Sequence, residues 1–456
     1  MGVKVCDGCT QASPRALTEH YRCPESLLNF KLRGPLSDSR GFFRLGSTTC
    51  FGRSSSGARA QRTNLPQYDV LKDVEIRKSE LLLPFDPTEI VDNLRWERYV
   101  TSDSRLHTVA RRIYYALRPF TPDAARRVIQ RMQIWNWDAK SFPRWPVDTT
   151  VEAIFRKLIL LSMQASGVDR FPFVWFWPDG AQSCVLMTHD VETKKGMDFC
   201  PAVMDIDDAF GVKAAFQIVP EDRYAVPEEF LTAIRSRGFE VGVQDLNHDG
   251  RLFDDEAKFA SRAERINRYG RQWRAQGFRA AVLYRRPEWL NALDFAYDMS
   301  IPNVAHLDPQ RGGCCTVFPY FLRNILELPV TTTQDYMLLH LLKQDSIDLW
   351  KTQFERINAE HGLASFIVHP DYLIEHKARS VYETLLAYLV DFSAKTQMWF
   401  ALPSALNAWW RARSKMNVVG DERGLHIEGE GAERAVLAYA RCENDLLVYD
   451  LQGTVS

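Results

Sequence analysis

No stretch of this 456-residue chain approaches eighteen consecutive apolar residues, so no transmembrane segment is expected. The opening MGVKVCDGCTQASPR has no basic stretch followed by an apolar run of secretory length, which gives the expectation of a cytoplasmic protein. An excess of either charge is also missing. The 57 Lys and Arg nearly cancel the 58 Asp and Glu, so no global field recruits nucleic acid or an acidic membrane. The Arg-rich stretch from Arg111 to Arg131 reads as the solvated face of helices. Nine cysteines are too few for a disulfide framework in so long a chain, and an odd number leaves one unpaired. Cys6 and Cys9, with His20 and Cys23 or Cys50, are candidates for a small structural zinc site. The HExxH and GxSxG motifs are absent, and Gly312–Thr316, GGCCT, lacks the lysine and spacing of a phosphate loop and reads as a tight turn.

What is present is a globular composition, 46% hydrophobic and 25% charged, long enough for roughly three units of about 150 residues. Residues 1–90 are loop-rich and partly β. Residues 91–178 turn helical, with Leu106, Val109, Ala110, Ile113, Tyr114 and Leu117 at helical spacing, a second helix from Pro122 and Asp123, and a third over 150–166. Over 179–413 short apolar strands alternate with helices: CVLM from 184, AAFQIV from 214, FEVGV from 239, AAVLY from 280, ILELPV from 325, ASFIV from 364 and MWFAL from 398. Seven βα units in about 220 residues point to an α/β fold, an irregular parallel (β/α)7 barrel, with a doubly wound open sheet as the other possibility. Residues 414–456 read as a small β appendage.

In a parallel barrel the chemistry lies just past the carboxyl ends of the strands. Three of the ten histidines, His189, His248 and His369, fall there. Strand alternation puts Thr188, Asp190 and Glu192 on one side. Two carboxylates facing one cavity are costly unless a cation lies between them or one is protonated. A divalent metal held by Glu192 and His248, with Asp190 taking a proton from water, uses all of these groups. The competing reading pairs Asp190 and Glu192 with Arg279 or a lysine.

The segments VLMTHDVE, EVGVQDLNHDG, GFRAAVLY, YDMSIPN and FIVHPDY resemble, in order and spacing, the five motifs of polysaccharide deacetylases, the NodB-homology family or carbohydrate esterase family four. The resemblance covers about residues 183–405. It implies a hydrolase that removes acetyl groups from an N-acetylated sugar or a related carbon–nitrogen amide, usually with zinc or a similar divalent ion, and hence a carbohydrate partner. It also implies that Asp190 is the base, Glu192 and His248 are metal ligands, Arg279 orients Asp190, Asp298 belongs to the fourth motif, and His369 is the general acid. Tyr284, Trp289 and Tyr372 are candidate sugar-stacking surfaces.

Two positions depart from the family. Gln244 stands where the first metal-binding histidine is expected, a neutral oxygen donor in place of an imidazole, and Ala281 replaces the usual proline. Three alternatives follow. Gln244 coordinates weakly; Asp245, His189 or His306 replaces it; or the barrel is a pseudoenzyme that binds carbohydrate or scaffolds polysaccharide or glycolipid assembly. A metal-independent amidase using Asp190 and His369 alone is a further reading.

Overall fold

The computed structural model describes residues 11–100, 137, 140–421 and 424–452. The helices expected over 106–117 and from 122, the Arg111–Arg131 patch, and Cys6 and Cys9 lie outside the described residues. The chain divides into two compact units. One takes the described residues of Met1–Tyr99, Thr149–Gly180 and Trp409–Ser456; the other takes those of Val100–Asp148 and Ala181–Ala408. The four consecutive segments expected above are therefore distributed over two bodies.

The second unit carries the strand-and-helix alternation. Its strands are β1 (Ser183–Val191), β2 (Ala214–Ile218), β3 (Glu240–Gln244), β4 (Gly277–Arg279), β5 (Tyr297–Asp298), β6 (Tyr320–Leu322), β7 (Ile325–Glu327), β8 (Leu363–Val368) and β9 (Met398–Phe400). They form one sheet in the order β6-β7-β5-β4-β3-β2-β1-β8, with β9 also on β1. All pairings are parallel except the β6/β7 hairpin. Helices α1 (Lys194–Ala209), α2 (Glu228–Ser236), α3 (Glu256–Gln272), α4 (Asp348–Ala359) and α5 (His376–Ser393) make the crossovers. Thr193 and Asp255 cap α1 and α3 by accepting from the backbone N–H of Gly196 and Lys258. All nine residues of β1 are buried, as expected of a parallel strand covered on both faces.

The sheet is a curled half-barrel within a mixed α/β fold, where an irregular (β/α)7 barrel was expected. Among the described residues no ladder joins β7 to β8. Hydroxyl groups span that gap: Thr331 Oγ1 donates to Leu363 O at 2.8 Å, Thr332 Oγ1 donates to Ser365 O at 2.7 Å, and Ser365 N donates to Thr331 Oγ1 at 2.9 Å. Strand four also differs from the expected AAVLY. The ladder uses Gly277–Arg279, and Ala281–Leu283 is a tight turn with φ of 59° at Val282 and 52° at Leu283. Left-handed residues cannot extend a ladder, and this apolar run is buried by loop packing, with Leu283 against Val330 and Ile367. At GGCCT no tight turn forms: the segment runs alongside 302–305, with Cys314 N donating to Pro302 O, and glycine is needed at 313 because φ is 140° and a Cβ there would lie 2.2 Å from Asn303 O.

The first unit is built around aromatic residues. Thr150–Ser166 is helical, as expected, but Phe171–Val174, inside the expected helical region, is a strand that pairs antiparallel with Leu437–Glu443. The C-terminal β segments are thus built into this unit and do not form a separate appendage. His20 packs among the rings of Tyr21, Phe155 and Phe176. Among the described residues it joins no group of three potential metal ligands, and neither do Cys23 and Cys50. Burial pushes the Cys23 thiol up to about 12, so it stays protonated at neutral pH. No helix among the described residues is long and apolar enough to cross a membrane.

Candidate active site at the strand ends

Alternation along β1 sends Thr188 and Asp190 to one face and His189 to the other. Arg279, fully buried at the end of β4, donates from Nη1 to Asp190 Oδ1 at 2.5 Å and to Thr188 Oγ1 at 2.9 Å. Its Nε donates to Met299 O at 3.1 Å. The guanidinium therefore anchors one Asp190 oxygen. The other, Oδ2, accepts from Gln244 Nε2 at 3.1 Å.

Gln244 ends β3 and is level with Arg279 on β4. The same Nε2 also donates to Glu192 Oε1 at 3.1 Å, so the amide joins the two carboxylates. Glu192 Oε1 lies 2.7 Å from His248 Nε2 and 3.5 Å from His369 Nε2. Burial acts to raise the Glu192 pKa, but the contacts with His248 and His369 outweigh it, and the carboxyl is held well below its usual range. The cost of two adjacent carboxylates is thus met by the chain's own groups: Arg279 on Asp190, imidazoles on Glu192, and a neutral N–H between them.

His369, just past β8, is held from behind by Asp335. Asp335 Oδ1 lies 2.6 Å from His369 Nδ1, and Asp335 Oδ2 accepts from the His369 backbone N–H at 2.7 Å. Burial acts to lower the His369 pKa, but Asp335, with Glu192, overrides it and raises the imidazole well above its usual value. Asp335 also caps the π-helical turn Tyr336–Leu341 by accepting from Tyr336 N. Tyr372 packs its ring on His369, with centroids 4.9 Å apart.

The remaining expected residues lie elsewhere. Asp298 is level with Phe278, the neighbour of Arg279 that faces the opposite side of the sheet. Its carboxylate accepts from Ser300 N and Oγ, and it pairs with Glu327, the residue level with it on β7. Burial and then Asp298 push the Glu327 carboxyl well above its usual range, so this acid pair shares a proton. The carboxylate partner of His369 is Asp335. Trp289 packs on Phe253 and Phe259, and Tyr284 is buried.

The three proposed replacement ligands are also placed. His189 Nε2 lies 2.9 Å from Asp207 Oδ2, and Tyr382 donates to Asp207 Oδ1, which makes His189 part of the packing between sheet and helices. His306 stacks on Trp145, and burial lowers its pKa to about 4. Asp245 has φ 51° and turns its Oδ1 back onto Leu246 N at 2.6 Å. No helical continuation carries the chain from Asp245 to His248, which itself has φ 55°.

Asp190, Glu192 and His369 present donor atoms within 4.8 Å of one another, the one such group among the described residues. His248 Nε2 and Gln244 Oε1 are buried without a hydrogen-bond partner. A divalent ion therefore fits Asp190, Glu192 and His369 in number and reach, whereas the expected ligand His248, 2.7 Å from Glu192, falls outside that group.

No family model matches the chain, and no curated protein matches it. Solved structures do. The chain is similar in structure to polysaccharide deacetylases. One neighbour is a protein from Mycobacterium smegmatis described as a polysaccharide deacetylase, with 18% identity over 52% of this chain and 93% of that one and a TM-score of 0.42. A second is an allantoinase, with 13% identity over 52% and 92% and a TM-score of 0.41. A third is a mutant of a carbohydrate esterase family four pseudoenzyme with restored enzymatic activity, with 17% identity over 50% and 68% and a TM-score of 0.33.

Two residues of this site escaped sequence reasoning. Asp335 follows the ILELPV strand by only a few residues, and its position past a strand end is the sequence signal that marks it. Arg223 donates from Nη2 to His248 O at 2.7 Å, with His248 Nδ1 3.2 Å away. It sits in an irregular loop with no local signal.

Proposed function

We propose that the chain is a hydrolase of polysaccharide-deacetylase type that removes acetyl groups from an N-acetylated sugar or a related carbon–nitrogen amide. The observation that carries this reading is a buried carboxylate and a buried imidazole meeting across Glu192, each with its own counter-charge: Asp190 with Arg279, and His369 with Asp335. Arg279 fixes one oxygen of Asp190, which orients the carboxylate for proton removal from an attacking water. His369, kept protonated by Asp335, delivers a proton to the departing amine. A divalent ion, zinc in our reading, supplies Lewis acidity toward the amide carbonyl when held by Glu192 and His248. Tyr372, beside His369, is the surface on which a sugar ring would stack.

The test is acetate release from acetylated amino-sugar oligomers, with and without added zinc. Wild type is expected to release acetate, and Asp190→Asn and His369→Gln are expected to fall by about 10²- to 10⁴-fold each. Absence of release from folded wild type under all conditions overturns the reading. It would favour a carbohydrate-binding pseudoenzyme, whose supporting observation is Gln244, which joins the two carboxylates where a histidine is expected.

A further inference from the structure

The loop after β2 is tied down beside the site. Tyr224 donates to Val191 O and accepts from Val219 N, while Glu221 N donates to Leu246 O at 3.0 Å. Arg223 is thereby laid along the 246–248 turn. Its Nε donates to Asn247 O at 3.3 Å, and its Nη2 sits between His248 O and His248 Nδ1. Among the described residues no carboxylate lies within ion-pair distance of this guanidinium.

A guanidinium has only N–H donors and no acceptor. The ring nitrogen facing it must present a lone pair, because an Nδ1–H would point at another N–H. In neutral imidazole the proton then resides on Nε2, the nitrogen 2.7 Å from Glu192 Oε1. Histidines that bind metal show the opposite arrangement: the second ring nitrogen donates its N–H to a carboxylate or carbonyl, leaving a lone pair for the ion.

We propose that Arg223 is a positioning residue that keeps the His248 proton on Nε2, the nitrogen 2.7 Å from Glu192 Oε1, and so keeps the divalent-metal affinity of this site low. Gln244 is then only one of two barriers to a metal, and restoring a histidine there is not enough. The inference rests on the assignment of Glu192 and His248 as the metal position, and its test reads binding, not hydrolysis, so its failure is distinct from failure of the proposed activity.

Zinc affinity is measured by titration calorimetry on full-length wild type, Gln244→His, and Gln244→His with Arg223→Met. The double variant is expected to bind about 10- to 100-fold more tightly than Gln244→His alone, the size of a second-shell effect. Equal affinity of the two overturns the proposal. Should Arg223→Met fail to fold, long-range 15N–1H correlation on the wild-type imidazoles decides, with the His248 signals assigned by their loss in His248→Gln. A proton on Nε2 supports the proposal, and a proton on Nδ1 overturns it.

Discussion

Arg279 and Arg413 are both almost completely buried, one in each unit, and their surroundings differ in kind. Arg413 donates to three backbone carbonyls, Trp175 O and His20 O at 2.8 Å and Val174 O at 2.6 Å, with its guanidinium over the rings of Phe176 and Trp410. Among the described residues it has no carboxylate partner. Arg279 makes its shortest contact with a carboxylate whose second oxygen meets Gln244 in the site. Carbonyls saturate a buried cation and hold segments together; a carboxylate counter-charge leaves a polarised group able to react. Burial of arginine alone is therefore no sign of function, whereas the identity of its acceptor is.

Substitution separates the two cases. Arg279→Met leaves Asp190 buried without its cation, and we expect a loss of about 3 to 5 kcal/mol in denaturant unfolding together with loss of acetate release. Retention of both would break the contrast. Arg413→Met strands three carbonyls and is expected to cost about 3 kcal/mol, while release per folded molecule stays at the wild-type level. A drop in turnover by fully folded Arg413→Met would show that the first unit also serves the chemistry.

The imidazole pair responds to pH with a defined sign. The pKa of His369 is raised in the fold, so the stability from its contact with Asp335 is complete below about 6.5, its unfolded value, and is lost as pH rises through the folded value. The alkaline limb of the rate profile should lie well above about 6.5, and Asp335→Asn should bring it down toward that value. A limb that does not move removes Asp335 from the acid's environment. The smallest effect concerns a buried acid whose partner is another acid. The raised pKa of Glu327 means that folding loses stability as pH climbs above the unfolded carboxyl value, so Glu327→Gln should remove a pH-dependent penalty. Melting temperatures of the two proteins should coincide near pH 4 and separate by pH 8, with the variant higher.

Local periodicity determined much of this protein. Apolar runs of strand length placed β1, β2, β3, β8 and β9, and the twofold alternation of β1 put Asp190 with Thr188 and away from His189, because side-chain direction in a strand is a property of the backbone itself. Polar residues just past those runs then named Asp190, Glu192, Gln244, His248 and His369, and the family resemblance named Arg279 ahead of the expected AAVLY run; the fold brings them together. Tertiary structure alone decided what stands behind them. Asp335 reaches His369 across 34 residues and Arg223 reaches His248 across 25, both from irregular segments that no period describes. It also decided that Asp298 turns away with Phe278, that Thr hydroxyls span the gap where a ladder was expected, and that Phe171–Val174 pairs with a strand more than 250 residues later. Such contacts depend on where the chain returns in space, and spacing along the sequence carries no record of that.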